Sequence, residues 1–205
     1  FGIDRNSSVC FFGSNDRHRK KDGYFGVNVL GATTAVGGGI MRDIILGLTP
    51  PGAFSHPVYV LVAALTSTIL FVIAYAKPTA FESRVKTDYY DKLMFWCDTA
   101  GLGIFTVVGI QAAVRAVGGE NVFFFVFIGT LTGVGGGVLR DIMAGETPYI
   151  LVKHIYACAA IAGGIVCVVG RTAFGEAYGT ILGLAATVLL RFLAAHFRWN
   201  LMRVS

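Results

Sequence analysis

Apolar residues in this chain gather into long runs separated by short polar and charged stretches, the pattern of helices that cross hydrocarbon. A helix needs about 20 residues to span a bilayer. Six runs have that length: Tyr24 to Leu48, Pro57 to Ala76, Leu93 to Val114, Val122 to Ala144, Ile150 to Val169 and Ala177 to Phe197. They occupy most of the sequence and predict a single all-α membrane domain over residues 1–205, without a separate soluble part.

Two of these runs carry the same interruption, Gly37-Gly38-Gly39 followed by Arg42-Asp43 and Gly135-Gly136-Gly137 followed by Arg140-Asp141. Laying Gly31–Pro50 on Gly129–Pro148, an offset of 98, gives twelve identities in twenty positions. The chain therefore contains two related halves. If each half holds a span before the motif helix, the motif helix and a span after it, the unit has an odd number of helices. Successive units then enter the membrane from opposite sides and form an inverted repeat. The predicted organisation is a first unit at 1–77, a second at 92–170 and a C-terminal membrane helix at 175–199.

The counterpart of the third span falls at residues 1–17, where Asp4, Arg5, Asn6, Ser7 and Ser8 leave only Val9 to Gly13 apolar. That stretch is too brief and too polar to cross. The first unit is accordingly expected to be incomplete: either its first helix is lost through truncation or a reading-frame error, or this version works without it.

Three successive glycines lower helix preference by roughly 1 kcal/mol each relative to alanine. A bend or break is expected at Gly37–Gly39 and at Gly135–Gly137. Opening a helix in lipid frees carbonyls and amides that only protein or an aqueous cavity can satisfy, so the break is expected to face inward. Asp43 and Asp141 would then occupy the first turn after it, at the amide end of a half-helix. Adjacent residues point about 100° apart, so Arg42 is not expected to pair simply with Asp43. Freed carbonyls suit a monovalent cation, and a nearby arginine suits a gate or tether. The alternative is structural: the charges neutralise broken ends and the glycines permit close helix contact.

Other polar positions add less. Asp98, near one end of the third span, is a possible partner for an arginine, or sits at headgroup level. Thr33, Thr34, Thr130, Thr132, Asn28 and Gln111 can line a pore or bond to their own helices. Gly175, Gly179 and Gly183 make a small-residue stripe for packing on another helix or subunit, and Arg191 is expected to snorkel to the membrane surface.

Composition agrees with the run lengths: 55% hydrophobic, 14% charged and a mean hydropathy of +0.67. The net charge of +5 raises nucleic acid as a partner. The cations instead cluster at membrane edges, with Arg17, Arg19, Lys20 and Lys21 before the first run and Lys77, Arg84, Lys86 and Lys92 between the second and third. Such clusters set topology and meet anionic headgroups, which places both termini in the cytoplasm and makes membrane lipid the partner. Cys10, Cys97, Cys158 and Cys167, and the four histidines, show no metal-ligand or nucleophile spacing. No cofactor, metal or enzymatic activity is expected.

The duplicated Gly-Gly-Gly-x-x-Arg-Asp followed by Gly-x-Thr-Pro resembles the prokaryotic members of the trimeric intracellular cation channel family, also catalogued as a glycine-transporter domain family. The likeness covers about Asp22 to Phe197. It implies seven membrane helices, six of them an inverted pair of three-helix units, and a homotrimer with one pore in each protomer. It further implies that Tyr24–Leu48 and Val122–Ala144 line the pore, with Arg42 and Arg140 along it, and that potassium is the main permeant ion. A carrier for a small neutral amino acid such as glycine, its carboxylate bound by half-helix amides, is the competing function.

Overall fold

A computed structural model describes residues 23–55, 57–76, 88–119, 121–152 and 155–197. All the regular structure among them is helical. The long helices are α1 (Tyr24–Ile45), α3 (Val58–Ala76), α4 (Asp88–Val117), α5 (Val122–Ala144), α7 (Ile155–Phe174) and α8 (Glu176–His196), with single turns α2 (Gly52–Ser55) and α6 (Tyr149–Val152). The expectation of a truncated first helix concerns residues 1–17, outside the described residues.

The stretch Phe95–Val117 of α4 and the whole of α5, α7 and α8 are long and apolar enough to cross a membrane. α1 has the length, about 33 Å for its 22 residues, but Asn28, two threonines and the Arg–Asp pair dilute it. α3 contributes the apolar stretch Val58–Ile69. The fifth run is displaced: its first residues form the separate turn α6, and the spanning helix begins at Ile155.

The core lies where α4, α5 and α7 meet. Leu102, Ile110, Ala113, Ile128 and Ala160 are essentially inaccessible there. Outward positions are apolar as well, including Phe25, Leu61, Leu65, Phe123, Ile181 and Leu189. In water such faces are a liability, whereas in lipid they need no cover. The protein is an all-α integral membrane protein.

α7 and α8 form an antiparallel hairpin whose connection is Gly175, at φ 94°, a left-handed conformation that side chains rarely adopt. The glycine stripe packs α8 on α7 of the same chain: Gly179 abuts the main chain of Arg171 and Cys167, and Gly183 abuts Cys167 and Gly163. α3 packs on α1 as α7 packs on α5, so the two halves repeat this pairing.

Candidate permeation site

Of the expected bend or break, the break is absent. α1 is helical throughout Gly37–Gly39, and α5 throughout Gly135–Gly137. The two triplets are where these helices touch. A Cβ on Gly38 would run into the main-chain carbonyl of Thr132, and a Cβ on Gly136 into that of Thr34. These contacts are one contact made twice, because Thr34 and Gly38 become Thr132 and Gly136 on adding 98. Residue numbers rise on one helix as they fall on the other, so α1 and α5 pass in opposing directions, with Val36 and Val134 at the midpoint. Close backbone approach adds Cα–H···O contacts and dispersion. An opened helix would instead leave main-chain groups unpaired in lipid. This is why the weak helix propensity of the triplets does not break the helices.

The charge pairs also differ from expectation. Arg42 folds back along α1, and its Nε and Nη2 both donate to Asp43 Oδ1 at 2.8 Å. Arg140 does the same to Asp141 Oδ1 at 2.9 Å. Their Cα–Cβ directions diverge, as consecutive positions must, but the arginine chain is long enough to bring its fork round. Burial is unequal within each pair: the arginine side chains are 17% and 20% exposed, the carboxylates 4% and 3%. The accessible end is the cation. Each pair lies six residues beyond the crossing midpoint, about 9 Å along its helix, and in opposite directions. The pairs therefore flank the glycine contact on both sides.

Neither aspartate stands at the amide end of a half-helix. Asp43 lies near the carbonyl end of α1, where negative charge is disfavoured by the macrodipole and Arg42 in the same turn offsets it. The rest of the motif is a helix stop. Gly47 and Gly145 have φ of 69° and 74°. Leu48 N–H donates to Asp43 O and Gly47 N–H to Ile44 O, matched by Glu146 to Asp141 and Gly145 to Ile142. This is the Schellman pattern, which needs a left-handed residue after the helix. Asp43 Oδ2 accepts the Gly52 N–H at 2.8 Å, fastening the returning chain to the end of α1. With both oxygens engaged, Asp43 acts as an anchor for Arg42 and the loop.

The remaining polar positions are largely occupied within the bundle. Thr34 and Thr132 donate to Leu30 O and Ile128 O of their own helices, again an equivalent pair. Asn28 bonds to Tyr24 O and accepts from Thr68 across the α1–α3 seam, and Gln111 donates to Thr180 of α8. Thr130 Oγ1 is buried without a partner among the described residues.

Asp98 lies apart from the motif, in a cluster joining α4, α7 and α8. Arg191 Nη2 donates to Asp98 Oδ2 at 2.6 Å, its Nε donates to Thr99 Oγ1 at 3.2 Å, and Tyr156 Oη donates to Asp98 Oδ1 at 3.2 Å. The guanidinium also lies over the Tyr156 ring, 4.6 Å from its centroid. Arg191 does not snorkel: its side chain is 6% exposed, because a carboxylate and aromatic faces hold it inside. Ninety-three positions separate Asp98 from Arg191; the one sequence signal was the presence of both charges inside apolar runs. No group of three or more histidine, cysteine, aspartate or glutamate side chains positioned to hold a metal occurs among the described residues.

Comparison with known proteins places these features in a wider set. A family model described as glycine transporter matches residues 8–75 and again 95–172, once in each half of the repeat. The chain is 37% identical over 179 residues to the UPF0126 inner membrane protein YadS of Escherichia coli K12, covering 86% of this chain and 80% of that protein. It is 30% identical over 176 residues to the UPF0126 membrane protein YvgT of Bacillus subtilis, covering 86% and 81%. Among solved structures it resembles a TRIC cation channel studied for conductance, with a TM-score of 0.75, 33% identity and coverage of 89% of this chain and 84% of that one. A prokaryotic TRIC channel crystallised in 0.5 M KCl gives 0.74 at 30% identity, covering 95% and 91%. The TRIC trimeric intracellular cation channel orthologue from Rhodobacter sphaeroides gives 0.66 at 28%, covering 86% and 96%.

Proposed function

The chain belongs to the TRIC-type UPF0126 family, the one whose family model is described as glycine transporter, and from that premise we propose that it is a passive channel for monovalent cations, chiefly potassium. It is not an enzyme, since its structural neighbours are ion channels. The path follows the α1–α5 crossing. The observation that carries this reading is the twofold repetition of an accessible guanidinium tied to a buried carboxylate, one pair on each side of the glycine contact. Intramembrane charges are costly and mark pathways.

Gly37–Gly39 and Gly135–Gly137 act in this reading by bringing two backbones together, and not by offering opened carbonyls to the ion. Arg42 and Arg140 are movable tethers: released from Asp43 or Asp141, a guanidinium repels cations, and paired it is neutralised. The channel is a homotrimer, following its TRIC neighbours, set in the cell membrane against lipid with both termini cytoplasmic, following the lysine and arginine distribution. The glycine-carrier reading needs free amides at a half-helix start, and the continuous helices offer none at the crossing.

Reconstituted in planar bilayers under a potassium chloride gradient, the chain is expected to give unitary currents reversing near the potassium equilibrium potential. Labelled glycine should show no counterflow. Replacing both Arg42 and Arg140 by alanine removes charge-assisted bonds of about 1.5–3 kcal/mol each, so open probability should change by about tenfold or more. Saturable glycine exchange without unitary steps would establish the carrier instead, and currents indifferent to the double substitution would exclude the arginines from gating.

A further inference from the structure

The α1–α5 crossing contains two kinds of contact. At Gly38 and Gly136 the facing atom is a main-chain carbonyl, which stays where the helix puts it. At Gly135 and Gly37 it is the tip of a side chain. Met41 Cε covers Gly135, and Leu139 Cδ1 lies 2.9 Å from where a Cβ on Gly37 would stand. Met41 and Leu139 are equivalent under the offset of 98, so this cover too is made twice, once on each side of the midpoint. Each stands immediately before an arginine of the motif and only partly buried. Both lie between Arg42 and Arg140 along the crossing. An apolar constriction excludes ions because it offers nothing to replace their water.

We infer that Met41 and Leu139 are paired hydrophobic closures of the permeation path, one facing each side of the membrane, and that conduction requires each to leave the glycine it covers. This rests on the channel reading above. The carbonyl contacts at Gly38 and Gly136 hold the crossing in register, and Met41 and Leu139 are the parts of it that a rotamer change can move. Methionine is unbranched with three flexible bonds, whereas leucine has few rotamers. The Met41 closure is the more readily displaced of the two.

The test uses the full chain with Cys10, Cys97, Cys158 and Cys167 replaced by serine or alanine, and Met41→Cys or Leu139→Cys added singly. Potassium currents are recorded in planar bilayers while a membrane-impermeant cationic methanethiosulfonate is applied to one side, then the other. Progressive loss of current is expected from one side for Met41→Cys and from the opposite side for Leu139→Cys, with the cysteine-free parent unaffected. A parent that conducts while neither variant responds, or while both respond from the same side only, overturns the closures and leaves the channel intact. A parent without potassium current overturns the channel reading and the closures with it. Should a cysteine variant fail to elute as the parent does, Met41→Leu is expected to lower open probability and Leu139→Met to raise it; no change in either would equally overturn the proposal.

Discussion

Alanine at Gly38 or Gly136 is expected to disrupt the α1–α5 crossing and abolish current, while alanine at Gly39 or Gly137 leaves both intact. All four substitutions add one methyl group inside the same two motifs, so composition does not distinguish them. What differs is the obstacle. At Gly38 and Gly136 it is the carbonyl of Thr132 or Thr34 on the opposing helix, main chain that no rotamer change can clear. Overpacking typically costs about 1–3 kcal/mol, and a fixed backbone neighbour puts these sites at the upper end. At Gly39 and Gly137 the nearest atom is Nη2 of Arg42 or Arg140, at 3.9 Å, an ordinary contact with a flexible tip. There alanine keeps its helix advantage of about 1 kcal/mol over glycine. Thermal unfolding in detergent reads the difference: Gly38→Ala should melt about 5–10 °C below the parent and Gly39→Ala at or slightly above it. Equal melting of the two variants would mean that the helices do not meet through these carbonyls.

Asp98→Ala is expected to destabilise the protein more than Arg191→Met, although both break the same ion pair. The arginine is 6% exposed and the aspartate 46%. Removing Asp98 leaves a buried guanidinium with Thr99 Oγ1 and two aromatic faces as its remaining partners, a loss of about 3–5 kcal/mol on the scale of broken buried pairs. Methionine at 191 fills a similar volume without charge, and Asp98 turns its exposed side to water and keeps the Tyr156 hydroxyl. That loss should be about 1–2 kcal/mol. The double variant should recover much of what Asp98→Ala loses, since an apolar replacement of a buried pair is often tolerated. A double-mutant cycle on unfolding measures the coupling. An Asp98→Ala protein as stable as Arg191→Met would contradict the burial assigned to Arg191. Because this cluster ties α8 to α4 and α7, its failure should loosen the C-terminal helix before the α1–α5 crossing.

Much of the architecture was legible in the residues. The apolar runs become α1, α3, α4, α5, α7 and α8 with shifts of a few residues at most ends, and the offset of 98 survives as paired contacts down to single atoms: Thr34 and Thr132, Gly47 and Gly145, Met41 and Leu139. The membership drawn from the motif agrees with the family match and the solved neighbours. The reading of the glycine triplet as a break did not survive. It follows from helix propensity, a local term near 1 kcal/mol per residue, whereas the alternative of close helix contact prevails through a partner on a helix about a hundred positions away. The expectation that Arg42 would not pair with Asp43 treated side chains as fixed spokes and left out the reach of an arginine. The snorkelling expected of Arg191 likewise followed from its place near the end of a span, with no knowledge of a carboxylate facing it.

Alone, the sequence determined that this chain crosses a membrane, that it is built twice from one inverted pattern, and that each copy carries glycines, an arginine–aspartate pair and a Gly-x-Thr-Pro segment in fixed order. These are properties of run length, periodicity and identity along the chain, set by local transfer and backbone energies. Only the tertiary structure decided that the triplets join two helices and do not divide them, that the arginines are held by their own neighbours, and that Asp98 meets Arg191. Each of those outcomes turns on which surfaces approach within a few ångströms, and packing and desolvation at such distances depend on partners that no local stretch of sequence specifies.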